Sequence, residues 1–316
     1  MSLLPWLAPS AQRLAAASAA GRLPTALLIH AAPGVGAGEL ARYFVQLRLC
    51  SEAAAPCGRC RHCLRITAGE HPDFVFVGPD PESKLGQISI AQVRELSEQL
   101  SLSSYEGRGT VVVLDPADAL NRNAANALLK TLEEPRADAH LILVTSNPSL
   151  LPATIRSRCQ KLAVPAPQRE AALAWLSGQK PAHSADWPAV LELLGVAPLE
   201  AINADVGQLL AIRQDVLRLL EEAGQGRIDV IRAAEFWAKD ELPLRLRGIE
   251  NCLTIRVLAM RAATRSGSGD PDINTATALR LLDELRELRR QLAAASLNKP
   301  LALERQFWSL NRAGTG

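Results

Sequence analysis

The chain lacks a bias of charge. Its 316 residues carry 35 Lys and Arg against 33 Asp and Glu, a formal net charge of +2. That balance gives no global attraction for nucleic acid or for an anionic membrane surface, although a small basic patch can hide in the average. An uninterrupted apolar run of about 20 residues is also missing, which argues against a membrane-spanning helix. The opening Met1-Ser2-Leu3-Leu4-Pro5-Trp6 has no basic residue ahead of its apolar stretch, so a secretory leader is not expected. There is no internal repeat and no long low-complexity segment. What is present is ordinary globular composition, 48% hydrophobic and 22% charged, with length enough for two or three cores. A soluble cytoplasmic protein is the expectation.

A further absence is chemical. Ala31-Ala32-Pro33-Gly34-Val35-Gly36-Ala37-Gly38-Glu39 follows an apolar run, Thr25–His30, and precedes a helical segment, Glu39–Leu49. This is the strand–loop–helix setting of a phosphate-binding loop, G-x-x-x-x-G-K-[ST]. In that pattern the lysine reaches the β- and γ-phosphates and the hydroxyl helps hold Mg²⁺. Here Ala31 takes the place of the first glycine, Gly36 that of the second, Ala37 that of the lysine and Gly38 that of the hydroxyl residue. The loop's shape can survive at Gly34 and Gly36, but its charge is gone. A second loss lies at Thr110–Asp118. An apolar strand ends in Asp115, where an ATPase keeps an acid near Mg²⁺. Pro116 stands where the water-orienting glutamate would follow. No functional ATP binding is expected. Backbone N–H groups at a helix N-terminus attract phosphate without a lysine, so weak nucleotide binding by an unusual ATPase stays open as an alternative.

Four of the six cysteines, Cys50, Cys57, Cys60 and Cys63, fall within fourteen positions. In a cytosolic chain such spacing indicates a metal rather than disulfides. Four thiolates fill the tetrahedral shell of Zn²⁺ and leave no position for water, so the expected site is structural. His62 could replace a cysteine, but its adjacency to Cys63 makes joint ligation awkward. Arg59, Arg61 and Arg65 offer another reading, a zinc module contacting nucleic-acid phosphates. Against it, no aromatic residues interleave to stack bases.

Apolar runs at Thr25–His30, Phe74–Val77, Thr110–Asp115 and His140–Thr145 alternate with helical candidates at Glu39–Leu49, Ile90–Leu100 and Asn123–Glu134. The alternation predicts a parallel sheet covered on both faces. Asn121 or Asn123 can cap the third helix, and Pro135 follows its end. Val164-Pro165-Ala166-Pro167 marks a linker. Short helices over 168–205 follow, including Arg169–Leu176 and Ala189–Leu194. Longer ones come at Gly207–Ala223, Ile228–Lys239, Leu244–Arg265 and Thr275–Ala295, with a loop at 266–271 between the last two.

Asn126-Ala127-Leu128-Leu129-Lys130-Thr131-Leu132-Glu133-Glu134-Pro135, Ser157-Arg158-Cys159 and the cysteine cluster after the loop helix together resemble bacterial DNA polymerase III clamp-loader subunits of the AAA+ class. The matching segments span roughly residues 25–165. The resemblance implies an α/β AAA+ (RecA-like) domain over 1–165 carrying a four-cysteine zinc module at 50–63. A small helical lid at 166–205 and an all-α collar at 206–316 would follow. It also implies a non-hydrolysing member of the hetero-pentameric ring, beside ATP-hydrolysing τ/γ subunits and a δ subunit, acting on the sliding clamp and primer-template DNA. By the position of its motif, Arg158 would be an arginine finger supplied in trans to a neighbour's ATP site.

Overall fold

The computed structural model describes residues 3–80, 83, 86–101, 103–136, 138–265, 273–294 and 297–314. The loop read at 266–271 lies outside them. Contacts divide the chain into two compact units, residues 1–171 and 172–316.

The first unit is built on five parallel strands: β1 (Ala26–His30), β2 (Phe74–Val77), β3 (Thr110–Leu114), β4 (Ala139–Thr145) and β5 (Gln160–Ala163). Their order is β2-β3-β4-β1-β5, so β4 lies between β1 and β3. All seven residues of β4 are buried, as expected for a central parallel strand covered on both faces. The helices are α1 (Ala8–Ala19), α2 (Ala37–Leu49), α3 (Arg61–Ala68), α4 (Ile90–Ser101), α5 (Arg122–Glu133) and α6 (Ala153–Arg158). The expected α/β class with a parallel sheet is borne out. Of the two candidate caps for α5, Asn121 serves: its side chain accepts from the Ala124 N–H at 2.8 Å. Leu128 and Leu132, one turn apart on this helix, face inward onto a core shared with Ile155 and Cys159.

The second unit is helical: α7 (Arg169–Gln179, starting just before the division), α8 (Trp187–Leu194), α9 (Pro198–Asn203), α10 (Val206–Gly224), α11 (Val230–Trp237), α12 (Leu242–Arg265), α13 (Ile273–Ala294) and α14 (Lys299–Gly314). One apolar core runs through it from Ala172 to Leu310, with Trp187 and Phe307 fully buried. Residues 172–205 and 206–310 therefore share a core. Arg245, buried in this unit, is balanced by Asp215 at 2.6 Å and stacks over Phe236 at 5.0 Å, which meets the demand that a buried cation be paired. Among the described residues no helix is long and apolar enough to cross a membrane.

His140, the second residue of β4, is buried. Arg48 Nε donates to its Nε2 at 2.9 Å, while its Nδ1 faces the Pro24 carbonyl at 2.8 Å. An acceptor at one nitrogen and a donor at the other fit the neutral ring with its proton on Nδ1. Burial, reinforced by the Arg48 charge, lowers its pKa below the ordinary value. The unfolded chain therefore binds this proton more readily. The stability His140 contributes is complete above about pH 6.5 and declines as pH falls toward the depressed folded value. The slope is at most about 1.4 kcal/mol per pH unit for one such group. Urea unfolding at pH 7.5 and 5.5 should show lower stability at the acid pH. His140→Gln should reduce that difference; an unaltered difference would show that His140 is not its source.

Candidate functional site

Three features gather around the sheet: the loop after β1, the cysteine module after α2, and the arginine that ends α6.

The loop keeps its shape. Gly34 and Gly36 have φ of 73° and 103°, left-handed values that glycine adopts without strain. Gly36 caps α2 with no side chain to offer. Val35 is fully buried, and its carbonyl accepts from Trp6 Nε1 at 2.7 Å, so the N-terminal segment clamps the loop. Across β4, Asp115 leaves the end of β3 and reaches the first turn of α2. A Cβ placed on Gly38 would stand 2.9 Å from its Oδ2. Any side chain at position 38 therefore needs that carboxylate to move. Burial, and then the neighbouring Asp118 charge, raise the Asp115 pKa. With Ala37 in the lysine's place, the titratable group against the start of α2 is an acid.

The four cysteines converge. Cys50 terminates α2, Cys60 is the N-cap of α3, and Cys63 lies in its first turn. All four Sγ atoms lie within 4.8 Å of one another. Cys50 and Cys60 are 3.8 Å apart, too far for a disulfide, whose S–S bond is about 2.05 Å. The spacing equals the edge of a tetrahedron with bonds of about 2.3 Å, the Zn–S length. Backbone N–H groups point at the sulfurs, from Cys60 to Cys57 at 3.3 Å and from Cys63 to Cys60 at 3.4 Å. Burial opposes the Cys60 thiolate, but the N–H donors of Cys63 and Ser51 outweigh it and bring its pKa down to about 5. Burial pushes Cys63 upward. The donor set fits a divalent metal that prefers sulfur.

Sequence reasoning missed the bracket behind this module. Glu106 Oε1 accepts from Arg65 at 2.8 Å, and Oε2 lies 3.0 Å from both Arg61 and His62. Asp73 accepts from the backbone N–H groups of Tyr105 and Glu106 at 2.6 and 2.9 Å. His62 Nδ1 stands 3.0 Å from His71 Nε2, and His71 Nδ1 accepts from the Asp73 N–H at 3.1 Å. Although His62, His71 and Glu106 are close enough to share a cation, both Glu106 oxygens already face arginines. The accepting Nδ1 also leaves the proton of a neutral His71 ring on Nε2, the nitrogen a metal would need. The cluster reads as a polar brace between α3 and the loop after α4. Arg61 and Arg65, candidates for phosphate contact, are thus engaged by an acid. Tyr105, 83% exposed beside them, is an aromatic that the cysteine segment itself lacks.

Arg158 is the last residue of α6. Ile155 and Cys159 are buried against α5, and burial raises the Cys159 thiol to about 11, as for an inert core cysteine. They anchor the turn and leave Arg158 partly exposed. Its Nη1 donates to the Thr154 carbonyl at 3.0 Å and its Nη2 to Glu133 Oε1 at 2.6 Å. The Ser157 hydroxyl also donates to the Thr154 carbonyl, at 3.0 Å.

A family model described as DNA polymerase III, delta subunit, matches residues 8–168, a span that holds the loop, the cysteines and Arg158. The DNA polymerase III subunit delta′ of Pseudomonas aeruginosa PAO1 is 36% identical over 222 residues, 69% of this chain and 67% of that protein. That of Yersinia pestis is 30% identical over 336 aligned positions, 99% of this chain and 96% of its own length. The chain belongs to the DNA polymerase III δ′ subunit family. It is also similar to DNA polymerase III subunit tau of Salmonella typhimurium LT2, 35% identical over 141 residues, 44% of this chain and 21% of that larger protein. The δ′ resemblance extends into the helical unit, where the sequence offers no motif.

Proposed function

We propose that this δ′-family chain is a non-hydrolysing subunit of the DNA polymerase III clamp loader, completing its neighbour's ATP site instead of using one of its own. The observation that carries the reading is the state of the phosphate loop. Gly34 and Gly36 keep its turn, Ala37 and Gly38 have lost its cation and hydroxyl, and the Asp115 carboxylate stands against Gly38. The AAA+ unit over 1–165 joins a hetero-pentameric ring with τ/γ and δ subunits, with 166–205 as a lid and 206–316 in the collar. Through the ring it helps place the sliding clamp on primer-template DNA in the cytoplasm.

In this role Arg158 contributes a permanent charge and a rigid fork of donors to the phosphoryl group transferred next door. The four cysteines hold one structural Zn²⁺, which when bound ties the end of α2 to the start of α3 and supplies no chemistry to ATP hydrolysis.

Two measurements test the reading. Co-expression with τ/γ and δ subunits, followed by size analysis, should yield one complex containing this chain. Alone, the chain should show no ATP turnover, and Ala37→Lys should not create any, because Gly38 and Pro116 still lack the groups for Mg²⁺ and water. Failure to assemble, or turnover by the lone variant, would reject the proposal.

A further inference from the structure

We infer that Glu133 is a positioning residue for Arg158; this rests on the trans role given to Arg158 above. Glu133 belongs to the decapeptide Asn126–Pro135, for which the loop, the cysteines and the finger leave no task. It is the last residue of α5, one position after the buried Leu132. The α5–α6 packing that buries Leu128, Leu132, Ile155 and Cys159 sets the distance between Glu133 and Arg158. Arg158 is then held from two directions. Its own helix supplies the Thr154 carbonyl, and α5 supplies Glu133 Oε1.

The contact is suited to orientation rather than to stability. Both side chains are partly exposed, 35% and 49% for Arg158 and Glu133, and exposed ion pairs add little to folding. A guanidinium has five N–H donors in a fixed plane. The two contacts described occupy one on each terminal nitrogen, leaving a second donor on each, and Nε–H, for a neighbour's phosphate oxygens. The α5 C-terminus also favours a cation, since helix C-terminal carbonyls carry partial negative charge. An arginine free to sample its rotamers loses that freedom when it engages phosphate. One already held loses less, and a catalytic group placed to within an ångström is worth far more than the pair's own energy.

The test uses the reconstituted complex with its ATP-hydrolysing partners. Glu133→Ala should assemble normally and, in single-turnover hydrolysis at the adjoining site, lower that site's kcat about tenfold with the half-saturating ATP concentration nearly unchanged, less than the roughly 10³-fold or more attached to a finger itself. Glu133→Gln, which keeps an acceptor oxygen, should recover much of the loss. In an Arg158→Ala background, Glu133→Ala should have no further effect. Unchanged or raised kcat in Glu133→Ala would overturn the inference, as would an equal loss in the Arg158→Ala background. Should Arg158→Ala itself leave turnover unaltered, the trans-arginine reading fails first, separately from the role of Glu133.

Discussion

Replacing Arg158 with alanine should leave the subunit folded and able to assemble, while ATP turnover at the adjoining site collapses. Arginine fingers supplied in trans are worth roughly 10³–10⁵ in rate, equivalent to about 4–7 kcal/mol of transition-state stabilisation. Steady-state turnover of a complex with several sites falls by less, because the other sites still fire. Single-turnover hydrolysis with the mutant subunit in the ring is the cleaner measurement, and clamp loading should fall with it. Folding should be spared because the side chain, 35% exposed, makes its described hydrogen bonds to Thr154 and Glu133 near the surface, while the buried anchors Ile155 and Cys159 are untouched. Arg158→Lys should not restore the rate, since a lysine offers a point charge in place of a planar fork. Normal single-turnover hydrolysis by the alanine variant would remove Arg158 from the mechanism.

Loss of one metal ligand should have the next largest effect. Cys60→Ser keeps an oxygen able to cap α3 and deletes only the thiolate, so it separates ligation from capping. Gently purified wild-type protein should carry one zinc per chain, and the variant much less, with affinity reduced by more than the roughly 10–100-fold that changes to a ligand's outer partners cause. Structural zinc binds with about 10–16 kcal/mol in small peptides near neutral pH. Here part of that energy should appear as order in residues 50–69, read by amide exchange in α3. The sheet, with its own core, should remain folded. Because ligation needs thiolates, acid or a chelator should release the metal from the wild type. Zinc-free wild-type protein, or a Cys60→Ser chain with full zinc, would each contradict the assignment.

Much of this fold is written in local pattern. The runs at 25–30, 74–77, 110–115 and 140–145 coincide with β1 to β4 to within a residue or two, because strands buried on both faces must be almost wholly apolar. β5 escapes that rule. Gln160, Lys161 and Ala163 are exposed on an edge strand where only Leu162 is buried, so no apolar run announces it. The short α3 is hidden by the cysteines at its start, whereas α14 does carry a start signal, Asn298, whose side chain accepts from the Leu301 N–H at 3.2 Å, followed by Pro300. The Pro165–Pro167 segment reads as a linker, whereas the compact units part at 171/172. Packing draws the residues that follow Ala171 into the helical core, which local composition does not reveal.

The sequence by itself determined the chemistry available to this protein: a phosphate loop without lysine or hydroxyl, four thiols at metal spacing, and an arginine within a signature segment. Those are properties of residue type and short spacing, visible before the chain folds. Tertiary structure alone decided the partners. It brings Asp115 against Gly38 across an intervening strand, sets Glu106 on Arg61 and Arg65 from more than forty positions away, and places Glu133 on Arg158 from twenty-five. Such pairs have no local signature, because each forms only when apolar packing elsewhere returns the chain to the same place.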